Sequence, residues 1–175
     1  MNGTIELKTE RLTLRRHTVD DAERLYELFG KDDKMYEYTG WNPYATLKSA
    51  EHTVGCFINS YKDDEVYSWA IEYENELIGT IGAYDGAEDR EFIEVGVSVA
   101  SKYWGKGFAT EAVKTVTAYL VNTGYKTIKA WCAYDNIGSR RVLEKSGYVL
   151  KSTDENALNI DGRIYDRLNF EYADK

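Results

Sequence analysis

Residues 100–113, ASKYWGKGFATEAV, decide how the chain is read. They follow a strand-like run, EFIEVGVSVA (91–100), and open at once into a helical pattern. Two glycines separated by one lysine, set between a strand end and a helix start, indicate backbone that comes close to something. The first-turn N–H groups of a helix have no internal partners, and its dipole adds partial positive charge there. Gly105 and Gly107 remove the Cβ atoms that would hold an anion away, and Lys102 and Lys106 supply cations nearby. A diphosphate is the natural guest; a tight turn needing glycine for shape alone stays open. The stretch is not a P-loop, which needs four residues between its glycines and Lys-Ser/Thr after the second. It is not a dinucleotide fingerprint either, because no third glycine follows and three strands precede it.

Upstream, VYSWAIEY (66–73), ELIGTIGAY (76–84) and EFIEVGVSVA alternate with period two, joined by EN and DGAEDR. Connections that short require antiparallel neighbours. Downstream, Ala109, Ala112, Val113, Val116 and Leu120 form one helix face that stops near Gly124. KTIKAWCAY (126–134) is the next strand; a whole helix separates it from the last, so the two are expected parallel with a right-handed crossover. NIGSRRVLEKSG (136–147) reads as a short helix, followed by strands YVLKS (148–152) and RIYDRLNFEY (163–172) around a loop ending in Asp-Gly. Near the start, RLTLRR (11–16) reads as a strand. VDDAERLYELF (19–29) reads as a helix with Thr18 as N-cap and Asp21 as its partner, and Val19, Ala22, Leu25, Tyr26 and Phe29 on one face. A loop with the single proline, Pro43, leads to a second helix over 46–61.

The expected fold is α+β in α/β/α layers: one mixed, mostly antiparallel seven-stranded sheet with a splayed parallel strand pair and about four helices. Residues 1–175 are expected to form one domain; 175 residues suffice for one full core and would cramp two. A ligand is expected at the parallel junction.

Bulk properties narrow the function. Hydrophobic residues make up 43% and charged residues 30%, as in an ordered globular protein. A formal net charge of −8 argues against nucleic acid as the main partner, because no excess of Lys and Arg exists to displace counterions. It suits a cationic amine. No apolar run approaches membrane-spanning length and the first residues lack a signal-peptide core, so a cytoplasmic protein without membrane contact is expected. Cys56 and Cys132 lie in apolar stretches without metal-like spacing and are read as buried free thiols; with only His17 and His52, no metal site is expected.

SKYWGKGFATEA together with NIGSRRVLEKSGY, separated by one helix and one strand, resembles the GNAT acyl-CoA N-acetyltransferases. Within them it is similar to the branch that acetylates the N-termini of ribosomal proteins (RimJ/RimL-like). ELKTERLTLRR at the start and NIDGRIYDRLNFEY at the end extend the resemblance over nearly the whole chain. The resemblance implies acetyl-CoA as cosubstrate, lying between the two parallel strands. It places the pantetheine arm against backbone groups of Val97 and Val99, and the pyrophosphate against Trp104, Gly105, Lys106, Gly107, Phe108, Ala109 and Thr110. A backbone N–H near Val97 would polarise the thioester oxygen. Asn136 would both cap its helix and touch the pantetheine, Ser139 would sit beside the thiol sulfur, and Arg141 and Lys145 would approach the 3′-phosphate. The reaction implied is direct attack of a primary amine on the thioester.

The base departs from the pattern. The position where some relatives carry a glutamate falls near Leu158, with Glu155 out of register. Glu94 is the stronger candidate as catalytic base, against a water chain or a plain cross-strand ion pair. Tyr36, Tyr38, Trp41 and Tyr44 either box a cationic acceptor or cover the core edge. The acceptor is a protein N-terminal amine or a small amine; a polyamine or aminoglycoside acetyltransferase and a catalytically silent CoA-binding regulator are the alternatives. A homodimer is implied by the resemblance alone.

Overall fold

A computed structural model describes residues 3–173. Its centre is one eight-stranded sheet in the order β1-β2-β3-β4-β5-β6-β8-β7. The strands are β1 (Leu7–Lys8), β2 (Leu12–Arg15), β3 (Tyr67–Tyr73), β4 (Glu76–Tyr84), β5 (Phe92–Val99), β6 (Thr127–Ala133), β7 (Val149–Ile160) and β8 (Arg163–Ala173). Every neighbouring pair is antiparallel except β5–β6. The count is eight rather than seven because Leu7–Lys8 folds back on β2 through a turn that Thr9 closes by donating its N–H to the Leu12 carbonyl at 3.0 Å. Two residues are too few for a readable alternation.

Four helices cover the sheet: α1 (Asp21–Leu25), α2 (Leu47–Ser60), α3 (Phe108–Asn122) and α4 (Ile137–Lys145). α1 and α2 pack on one face over Ala70, Leu77 and Ala100. α3 and α4 pack on the other, where Ala112, Val113, Val116 and Leu120 are fully buried. Each of the valine and leucine side chains contributes about 1.5–3 kcal/mol on burial, and Ala112 less. This stripe is the one read from the sequence.

α1 departs from its expected form. The Thr18 side chain does not cap it; instead Asp21 reaches back and accepts the Thr18 N–H at 2.9 Å. Asp21 is held by Arg15, whose guanidinium donates to both carboxylate oxygens at 2.9 Å, so the carboxylate serves the sheet before the helix. Val19 lies outside the helix and is 73% exposed, and Tyr26–Gly30 continue as a π-helical turn. Cys132 is buried as expected; Cys56 is not, because it lies on the outer side of α2.

β7 runs through the stretch expected as a loop and pairs with β8 along most of its length, with shifts between Leu150 and Ser152 and between Asp154 and Leu158. The Asp161-Gly162 hairpin has positive φ at both positions (51° and 81°), as a two-residue turn of this hand requires.

Candidate active site

β5 and β6 pair in parallel only from Phe92–Thr127 to Glu94–Lys129, then part. Each leg is held from outside: β5 stays in register with β4 as far as Val99, and β6 with β8 as far as Ala133. Hydrogen-bond phase fixes which groups face the gap. Ala100 donates to the Ile78 carbonyl at 2.9 Å, and Phe92 accepts from Ala87 at 2.9 Å, so even-numbered residues of β5 bond toward β4. The N–H and C=O groups of Val95, Val97 and Val99 therefore point into the fork. On β6 the Thr127 N–H reaches the Glu91 carbonyl, which turns Trp131 and Ala133 toward the same gap. Buried strand amides need partners, and a peptide-like ligand supplies them. The Val99 carbonyl already has one: Trp104 Nε1 donates to it at 2.6 Å.

At the mouth of the fork the chain turns through Ser101–Tyr103 and the glycines into α3. Gly105 and Gly107 have φ of 76° and 82°, and Gly107 stands directly before Phe108 at the head of α3 with no side-chain cap. A Cβ on Gly105 would meet nothing, so the space above it is open. Lys102 and Lys106 flank the Tyr103 ring at 4.9 and 5.4 Å. Phe108 is buried; Ala109 and Thr110 are half-buried in the first turn. The loop thus presents uncapped N–H groups beside two cations.

α4 begins at the same end of the parallel pair. Asn136 caps it, its Oδ1 accepting the Ser139 N–H at 3.1 Å, which leaves the half-buried Ser139 hydroxyl in the first turn. Arg140 is tied to Glu144 at 2.9 Å and Arg141 is exposed. Lys145 stands at the far end of this nine-residue helix, about 12 Å from its start.

Glu94 occupies the crotch of the fork on the α1–α2 face. Its Oε1 accepts the Trp131 indole N–H at 2.9 Å, and Arg167 lies 3.6 Å from Oε2 while stacking on the Trp131 ring. Beside it stands Tyr84, a residue the sequence did not single out. Its hydroxyl lies over Gly96, where a Cβ would come within 2.7 Å. Burial, then the charges of Glu94 and Asp85, push the Tyr84 hydroxyl up to about 12. A hollow of about 330 Å3 adjoins Glu94 between Lys129 and Arg167.

The four aromatics of the 36–44 loop do not gather into a box. Tyr44 is buried against Phe29, and the Tyr36 hydroxyl turns inward to donate to the Phe29 carbonyl at 2.8 Å. Tyr38 reaches instead to the segment after β6, donating to the Asp135 carbonyl at 3.2 Å with its ring edge on Tyr165. Trp41 is 71% exposed.

Residues 11–149 match the family model described as an acetyltransferase (GNAT) domain. The chain belongs to the GNAT acetyltransferase family. The match takes in the fork, the glycine loop and the whole of α4. An uncharacterized N-acetyltransferase of Bacillus subtilis (strain 168), YoaA, is 31% identical over 163 residues, covering 91% of this chain and 92% of its own. Among the solved structures that share the fold are two acetyltransferases. MccE, a self-immunity acetyltransferase in complex with acetyl-CoA and AMP, superposes with a TM-score of 0.86 at 17% identity, over 94% of this chain and 93% of that one. RimL, a ribosomal α-N-protein acetyltransferase in complex with coenzyme A, gives 0.88 at 16% identity, over 97% and 98%. GNAT enzymes use acetyl-CoA as cosubstrate, and this chain is an acetyl-CoA-dependent N-acetyltransferase. The bare amides of the fork and the open, uncapped loop suit that cosubstrate. Among the described residues no group of three or more His, Cys, Asp or Glu gathers as a metal site would need, and no helix is long and apolar enough to cross a membrane.

Proposed function

We propose that the acetyl group passes directly from acetyl-CoA to a primary amine that enters from the α1–α2 face, a protein N-terminal amine or a small amine. One observation carries this reading: Glu94 lies where β5 and β6 part, on the face opposite α3 and α4. The pantetheine arm then lies along Val97 and along the Val99 N–H, and the diphosphate over Trp104–Thr110. The ammonium gives up one proton to Glu94, held in place by Trp131. The free amine attacks the thioester carbon, whose oxygen takes a hydrogen bond from the Val97 N–H. The new C–N bond forms as the C–S bond breaks; the Ser139 hydroxyl donates toward the departing sulfur, and the second amine proton leaves to solvent. Arg141 supplies positive charge near the 3′-phosphate, with Lys145 further along the same face. Tyr38 and Trp41 form the acceptor rim, whereas Tyr36 supports it from within.

Thiol release measured over a panel of amines and peptides with free N-termini tests the reading. Turnover with at least one class, lowered about 10²-fold by Glu94→Gln, is the expected outcome. Acetyl-CoA binding without turnover on any acceptor would instead indicate a CoA-binding regulator, the reading favoured by the Trp131 N–H and the Arg167 charge that already engage Glu94.

A further inference from the structure

We infer that Arg11 is the positioning residue that aims the glycine loop at the cosubstrate's diphosphate; this deepens the reading above and rests on it. Arg11 lies 95 positions before the loop, in the turn between β1 and β2. Its Nη1 donates to the Lys106 carbonyl at 3.0 Å. In a trans peptide the C=O and the following N–H point in opposite directions. Drawing the Lys106 carbonyl toward Arg11 therefore turns the Gly107 N–H the other way, out of the loop. The same guanidinium stacks on Phe108, 4.6 Å from the ring centroid, at the first position of α3. Gly107 is close enough that a Cβ there would meet Nη2 at 3.4 Å.

Charge points the same way. Glu111 is the one carboxylate in the first turn of α3, where it would repel an incoming diphosphate. Arg11 neutralises it with Nε and Nη2 at 2.8 and 2.7 Å from Oε2, and its own backbone N–H donates to Oε1 at 2.9 Å. Thr9 adds its hydroxyl to Oε1. Against the burial that opposes it, these donors hold the Glu111 carboxyl below the usual range. An exposed ion pair by itself stabilises little. A fork that grips a loop carbonyl, a helix-start ring and the nearest carboxylate together does more: it fixes where the loop's donors point.

The test compares two thioesters that differ in the diphosphate and nucleotide, acetyl-CoA and S-acetyl-pantetheine, by calorimetric titration and by displacement of bound acetyl-CoA. Wild type should bind acetyl-CoA far more tightly. Arg11→Ala should weaken acetyl-CoA about tenfold and leave S-acetyl-pantetheine within twofold. Arg11→Lys keeps the charge beside Glu111 but cannot fork to the Lys106 carbonyl, so it should show the same selective loss while folding normally. Unchanged acetyl-CoA affinity in both variants, or equal weakening of both thioesters, would overturn the inference. A wild type that binds the two thioesters equally would overturn the diphosphate reading of the loop itself, and Arg11's role with it.

Discussion

Ser139 owes its placement to Asn136, whose side chain takes the Ser139 amide and leaves the hydroxyl free. A hydroxyl that only bonded backbone would be dispensable for turnover. With Ser139 beside the sulfur, Ser139→Ala should lower kcat about 10²-fold with KM for acetyl-CoA within twofold, read by steady-state thiol release. At this scale the sequence was legible where function depends on local conformation. Gly107 sits at a helix start with a left-handed φ, and Asn136 is a good cap, and both show as residue types at fixed offsets. Arg11, Trp104 and Tyr84 were not legible in their roles. Arg11 meets the Lys106 carbonyl and Tyr84 covers Gly96 only once the sheet has assembled, and no spacing announces either contact. The Trp104–Val99 bond is closer in sequence, but it depends on β6 having parted from β5, which leaves the Val99 carbonyl facing the fork without a strand partner.

Among the elements, α4 rests most heavily on one cap. Its nine residues bury a single side chain fully, Leu143, so packing does little to compensate for a lost cap. Asn136→Ala should destabilise the protein by about 1 kcal/mol, a fall of about 2–4 °C in Tm, measured by thermal unfolding. The helices α2, α3 and α4 were readable because each carries an apolar stripe or a capping residue; Thr46 caps α2 in a reciprocal pair with Ser49. β7 extends past the strand expected over 148–152 for a physical reason. Nearly all its side chains are exposed, so KSTDENALN has no buried face to alternate, and β8 holds it through backbone bonds.

For the molecule as a whole, Asp21 joins the first helix to the sheet and contributes to acid stability. Burial opposes its charge, but His17 Nδ1 at 3.5 Å, the paired Arg15 and the Thr18 N–H outweigh that and hold the carboxyl far below the usual range. A folded-state pKa below the unfolded one, about 3.9, stabilises the fold at pH above that value. The contribution is lost progressively as pH falls below it. Urea midpoints measured from pH 7 down to pH 2 should therefore fall more steeply for wild type than for Asp21→Asn, which starts lower, and the two should converge in acid. The layered plan and the parallel junction were legible, since connection length alone makes the hairpins antiparallel and the β5–β6 crossover parallel. What was not legible was the point where β5 and β6 part, which depends on β4 and β8 gripping them from outside.

The sheet order carries a consequence for biosynthesis. β8, the last of the eight strands to be translated, lies between β6 and β7, both made before it. Until residues 163–173 have left the ribosome, one leg of the cosubstrate cleft has no outer neighbour. A nascent chain stalled before that point would expose the bare edge of β6, and the cleft gains its outer support only when β8 pairs there.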